Sequence, residues 1–130
     1  MFDPRQVEAL QLRRIFEKQE LECTVCAILP SAMNPISPDA KVREDALDYL
    51  ATCIRCAAEM GAKLLCGPVY ASTGSPILGP GHAREWEWAV AFFQRLGGAL
   101  DAHEVDLAIE PVNRSETLFL RKTSEAARLC

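Results

Sequence analysis

The sequence has 130 residues, 49% of them hydrophobic and 25% charged, an ordinary globular composition that excludes disordered, collagen-like and coiled-coil chains. Fourteen basic against eighteen acidic residues give a net charge of −4, and no run of Lys or Arg exceeds two, so no surface for a nucleic-acid backbone is expected. No apolar stretch approaches the roughly 18 residues of a membrane span, and Met1-Phe2-Asp3-Pro4-Arg5 lacks the basic-then-apolar order of a signal peptide; a cytoplasmic protein with no membrane partner is expected.

Asp3-Pro4-Arg5-Gln6 predicts a helix start, with Asp3 as cap, Pro4 at the first helical position and Gln6 completing a capping box. Ala9, Leu12, Ile15 and Phe16 form its apolar face. Leu21–Leu29 reads as the first strand, ended by Pro30, and residues 31–36 as loop. Ser37-Pro38-Asp39 caps a second helix carrying Val42, Ala46, Leu47, Leu50, Ile54 and Ala57, which Gly61 ends as a left-handed C-terminal cap. Lys63–Tyr70 is the second strand and its exit, followed by a loop rich in Gly, Ser and Pro over residues 71–81. Trp86, Ala89, Val90, Phe93, Leu96 and Leu100 mark a third helix. Gly97-Gly98 inside it costs about 1 kcal/mol each against Ala, and close packing is the expected compensation. Val105–Val112 is the third strand, and Thr123–Leu129 a fourth helix.

The strands begin at Cys23, Leu64 and Leu107, 41 and 43 residues apart, with a helix in each interval. Regular alternation predicts three parallel strands with right-handed crossovers. Periodicity alone does not separate a slice of a barrel from a small doubly wound sheet. The strand-to-helix loops carry neither a G-x-G-x-x-G nor a Walker A motif, which weakens a nucleotide-binding reading.

Six cysteines include the pairs Cys23-x-x-Cys26 and Cys53-x-x-Cys56. On a strand, residues three apart point to opposite faces, so Cys23 and Cys26 do not share an ion. Cys53 and Cys56 sit in a helical pattern, where cysteine packs as a small hydrophobe. Reduced, mostly buried thiols are expected rather than a zinc site.

In parallel α/β folds chemistry gathers at the carboxyl ends of strands. Here those ends read Pro30-Ser31, Gly67-Pro68-Val69-Tyr70 and Glu110-Pro111-Val112-Asn113-Arg114-Ser115-Glu116, and only the third is rich in reactive groups. Glu110 ends the apolar run Leu107-Ala108-Ile109, and a carboxylate buried there needs a partner or a cation. Two readings stand: a structural ion pair, with Arg114 as the candidate partner, or a functional acid.

The run from Leu107 to Thr117 resembles the fifth-strand segment of the ketose 3-epimerases, the tagatose/psicose 3-epimerase relatives among xylose isomerase-like TIM barrels and sugar phosphate isomerases. The segments 34–43 and 61–70 resemble the loop after the third strand and the fourth strand with its exit, in the same order. The resemblance implies a partial (β/α)8 TIM barrel over residues 1–130, about half of the usual 250 residues or so, covering roughly strands three to five. It implies a divalent-metal-dependent ketose 3-epimerase or isomerase acting on a small-molecule sugar. Glu110 would then be both metal ligand and catalytic acid/base, and Glu116 would hydrogen-bond the sugar. By its position next to the site Arg114 either orients the carboxylates or is a structural partner, and Tyr70 either lines the pocket or packs, as an aromatic at a strand end more often does. The cofactor implied is Mn²⁺, Mg²⁺ or Co²⁺, a Lewis acid for the enediolate.

Ser115 stands where the family usually has an aromatic residue, and residues 71–74 lack a tryptophan often found there. The family's other metal ligands come from later strands, and neither His82 nor His103 matches one. The isolated chain is therefore expected to show little or no activity and to bind no metal tightly. The rival expectation is a non-catalytic α/β module that retains a relic of the site and self-associates through open sheet edges. A DNA-repair endonuclease of the same superfamily is disfavoured by the acidic balance and the lack of a basic patch.

Overall fold

The computed structural model describes residues 4–72, 83–113, 115–120 and 122–130. A 3₁₀ turn at Pro4–Gln6 precedes α1 (Ala9–Lys18), β1 (Val25–Cys26), α2 (Ala40–Glu59), β2 (Leu64–Gly67), α3 (Ala83–His103), β3 (Asp106–Ile109) and α4 (Thr123–Leu129). The three strands form one sheet in the order β1-β2-β3, and both pairings are parallel. Strands and helices alternate as the hydrophobic pattern requires.

Several of the expected boundaries move, and the third strand shortens from Val105–Val112 to Asp106–Ile109. The first helix begins at Ala9, not at Pro4, with Glu8 as a cap that makes no side-chain hydrogen bond. The expected cap at Asp3 lies outside the described residues, as do residues 73–81 of the Gly/Ser/Pro loop. Only Ala9 of the helix's apolar stripe is fully buried, and Ile15 stays exposed. The first strand shrinks from Leu21–Leu29 to a two-residue ladder, Val25 against Leu65 and Cys26 against Cys66. It has a neighbour on one side only, and β2 offers just four residues to pair with.

Both predicted helix caps of α2 are present. The Asp39 carboxylate accepts the Lys41 N–H at 2.8 Å, satisfying one of the orphan donors of the first turn. At the other end Gly61 adopts φ +84°, so its N–H reaches the Ala58 carbonyl and the Ala62 N–H reaches that of Ala57, both at 2.9 Å. This is the paired 6→1 and 5→2 closure of a Schellman motif, and it turns the chain directly into β2.

The main core lies on one side of the sheet. Ala46, Leu50, Cys53 and Ile54 of α2 and Phe92 and Leu96 of α3 pack with Leu65, against which Val25 and Leu107 also lean. Residues alternating with these point the other way, and there Cys26, Ala108 and Glu110 are exposed while Leu64 and Cys66 are half-buried. Ile28, two residues after Cys26, is 57% exposed. A purely parallel sheet is normally covered on both faces, so this inner face is one that a complete fold would cover. Cys53 and Cys56 are buried as expected, but Cys23 and Cys66 are half-buried and Cys26 and Cys130 exposed, so the thiols are not mostly buried.

Gly97 and Gly98 fall short of their expected role, because a Cβ at either would meet nothing within 4 Å. Close packing does not compensate them. Their cost to α3 is thus removable: Gly97→Ala or Gly98→Ala should each stabilise the chain by up to about 1 kcal/mol, read as a higher urea midpoint.

Candidate functional site

The carboxyl ends of β2 and β3 are joined by backbone. The Glu110 N–H donates to the Gly67 carbonyl at 3.0 Å, extending the β2–β3 ladder by one step. Because Gly67 is in register with Ile109, Glu110 projects from the inner face, as Ala108 does two residues earlier. Glu110 is exposed, not buried as the apolar run before it suggested. Its expected partner, Arg114, lies outside the described residues, as does His82; His103 is the last residue of α3.

Tyr70 is wholly buried rather than facing open space. Its hydroxyl donates to the Leu120 carbonyl at 2.9 Å and accepts the Val112 N–H at 3.0 Å. One phenol therefore ties the exit of β2 to both ends of the segment between Glu110 and α4. Burial pushes its ionisation above the usual phenol value, with the Val112 N–H opposing and Glu110 and Glu116 adding to the rise. Around it Ile36, Ala71, Ala89, Phe119 and Leu120 form a second small core, with the Phe119 ring centroid 6.2 Å from Tyr70 and 5.7 Å from Trp86. Tyr70→Phe keeps the ring but leaves a buried N–H and C=O without their partner. A loss of about 2 kcal/mol is expected in urea unfolding.

Glu116 is exposed, and Asn113 fixes it: the Asn113 side-chain amide donates to Glu116 Oε1 at 2.6 Å. The Asn113 Oδ1 accepts the Ser115 N–H at 2.8 Å, while its carbonyl accepts the Glu116 N–H at 3.0 Å. Asn113 thus builds a tight turn that holds the second carboxylate in place. Sequence reasoning gave Asn113 no role, although an Asn two residues before Ser in a loop is the mark of an Asx turn.

On the same inner face, Cys26 and Cys66 are in-register neighbours on adjacent strands. Burial pushes the Cys26 thiol up, and Cys66 and the Glu110 carboxylate add to that. Glu110 is therefore close enough to Cys26 for its charge to be felt. An open cleft of about 500 Å³ lined by Arg13, Glu22, Lys63 and Leu64 lies at the opposite, amino ends of the strands, away from these groups.

The divalent metal implied by the family needs several oxygen or nitrogen ligands. Among the described residues no three His, Cys, Asp or Glu side chains come together to hold an ion. Glu110 can supply one ligand, and the described residues do not complete a metal centre. Among the described residues, no helix is long and apolar enough to cross a membrane.

Helices on one face, parallel strands in sequential order and carboxylates at a strand's carboxyl end define a segment of a parallel α/β barrel. Residues 1–130 match the xylose isomerase-like TIM barrel family along their whole length, and the chain belongs to that family. It is similar to a protein of Synechocystis sp. (strain ATCC 27184 / PCC 6803 / Kazusa) described as a probable ketose 3-epimerase, 26% identical over 124 residues, 95% of this chain and 43% of that protein. Among solved structures it superposes on D-allulose 3-epimerase from Methylomonas sp. with a TM-score of 0.90 at 22% identity, covering 99% of this chain and 45% of that one. An L-ribulose 3-epimerase gives a TM-score of 0.91 at 21% identity over 99% of this chain and 43% of that one. The chain spans less than half the length of these relatives.

Proposed function

We propose that the chain contributes the proton-transferring carboxylate of a ketose 3-epimerase, with Glu110 as its acid/base group. The observation that carries this reading is the placement of Glu110 on the bare inner face at the carboxyl end of β3, exposed to a substrate. Beside the carbonyl of a 2-ketose, the C3–H bond can lose its proton because the electron pair moves onto the carbonyl oxygen as an enediolate. Glu110, ionised, takes that proton; return of a proton to the opposite face of C3 by a second acid inverts the centre. Glu116, fixed by Asn113, accepts a sugar hydroxyl, and Arg114 orients the carboxylates. Tyr70 acts from beneath, holding the loop that carries them. A divalent ion, when present, supplies positive charge to the developing enediolate, and its remaining ligands must come from outside the described residues.

The relatives' names support the substrate class: a D-allulose 3-epimerase and an L-ribulose 3-epimerase share the fold, and one psicose 3-epimerase structure contains D-tagatose. With Mn²⁺ added, the isolated chain should convert fructose or tagatose little or not at all, since one carboxylate provides neither the metal centre nor the second acid. Robust 3-epimerisation by the isolated chain, followed by sugar chromatography, would overturn the division of labour proposed here.

One observation favours a second reading, a non-catalytic module that self-associates. Among the described residues β1 and β3 each pair on one side only, and Ile28 lies exposed beside the inner face. Glu110→Gln separates the two readings, because it leaves such an association unchanged.

A further inference from the structure

We propose that Cys26 and Cys66 form a two-thiolate site for a monovalent, thiophilic d¹⁰ cation of the copper(I) class on the inner face of the sheet. The inference goes beyond the proton-transfer reading and stands or falls without it. Cys26 and Cys66 are Cα partners in the β1–β2 ladder, so their side chains leave neighbouring strands side by side and on the same face. Strands in a sheet lie about 4.8 Å apart. A linear S–M–S unit with metal–sulfur bonds of about 2.3 Å spans roughly 4.6 Å, so the ion fits with the strands where they are. A disulfide fits less well, because it wants the Cβ atoms about 3.8 Å apart and would draw the strands together.

The ligand count points to the same class of ion. Zinc takes four ligands, whereas no group of three metal-binding side chains exists among the described residues. Soft thiolates favour copper(I), which accepts two-coordinate sites. Among the described residues Cys26 is exposed and Cys66 half-buried, so copper(I) added to this chain reaches both thiols. The Glu110 carboxylate lies near enough to act on Cys26 and adds a negative field that favours a cation. Binding breaks two S–H bonds, releases both protons to solvent and forms two S–Cu bonds, with copper remaining in the +1 state throughout. Affinity therefore rises with pH.

The test uses the reduced chain under anaerobic conditions, with copper(I) alone delivered from a competing chelator. One equivalent should bind, seen as an ultraviolet thiolate-to-copper band. Alkylation by iodoacetamide, mapped by mass spectrometry on the unmodified sequence, should show Cys26 and Cys66 protected together. Cys26→Ser and Cys66→Ser should each lower the affinity at least about 100-fold, since one thiolate does not make a two-coordinate site. Protection falling on Cys23 and Cys56 instead would overturn the proposal. So would alkylation of Cys26 at an undiminished rate, or failure of the chain to take copper from the chelator. The alkylation map needs no variant, so a misfolded substitution does not decide the outcome.

Discussion

On the proposed reading, Glu110→Gln in a complete barrel should lower turnover about 10³-fold while KM for the sugar changes by less than about 3-fold. The amide keeps the size of the carboxylate and much of its hydrogen bonding, but it does not accept the C3 proton. What is lost is therefore an interaction made in the transition state rather than one made equally with bound sugar. The measurement calls for a barrel that supplies the other half, and the superposition on the Methylomonas D-allulose 3-epimerase shows where to splice residues 1–130 into one. The backbone N–H of Glu110, bonded to Gly67, is untouched by the change, so the strand end keeps its place. A chimera whose Glu110→Gln form retained turnover within about 10-fold would leave Glu110 with no proton-transfer role.

The proposed reading also predicts that the chain on its own is poorly placed for catalysis. Its helices bury one face of the sheet with Leu50, Ile54, Leu65 and Leu96, each contributing about 2 kcal/mol through burial. Among the described residues, Glu110 and Cys26 are exposed on the opposite face and Cys66 is half-buried there. An ionised carboxylate in water is ordinary; its value to a reaction comes from a site that excludes solvent and supplies compensating charge. Neither condition is met by one half of a barrel. On the proposed reading, Glu110 then has the position of a proton-transfer group without the surroundings that would make it reactive.

Much of this was legible in the sequence, and the reason is local. Asp39 and Gly61 act within a single turn, so cap chemistry alone located both ends of α2, and α4 falls at Thr123–Leu129 as the pattern indicated. The parallel order followed from the even spacing of strands between helices. What the sequence did not disclose depends on contacts remote in the chain. The exposure of Glu110 reflects the absence of cover on the inner face, and an apolar run before a carboxylate reads the same whether or not that cover exists. For Tyr70 the pattern left pocket wall and packing both open; it packs, with its hydroxyl taken by Val112 and Leu120, 42 and 50 residues away. β1 pairs only two residues although its partner β2 has four, and its own apolar pattern runs much longer.

Gly67→Ala should destabilise the chain by about 4 kcal/mol, enough to unfold many domains of this size. Two costs coincide there. Gly67 has φ +139°, which side chains other than hydrogen rarely tolerate, and a Cβ on it would lie 2.1 Å from the Ala27 carbonyl oxygen. That oxygen belongs to the backbone just beyond β1, where the Ala27 N–H donates to Cys66 at 2.8 Å, so relief by displacement pulls β1 off the sheet. Gly61 is the internal control. It also has positive φ, +84°, but its nearest neighbour is the flexible Arg13 side chain at 3.7 Å, so Gly61→Ala should cost only about 1 kcal/mol through backbone strain. With a urea dependence of about 2 kcal/mol per molar, the midpoint should fall roughly 2 M for the first and 0.5 M for the second. Because the Gly67 carbonyl also holds the Glu110 N–H, the larger loss should extend to the site: amide exchange at Glu110 and Ala27 should accelerate together in Gly67→Ala and stay slow in Gly61→Ala. Equal midpoints for the two variants would mean that β1 does not press on Gly67, and that the sheet can open there without loosening the strand end that carries Glu110.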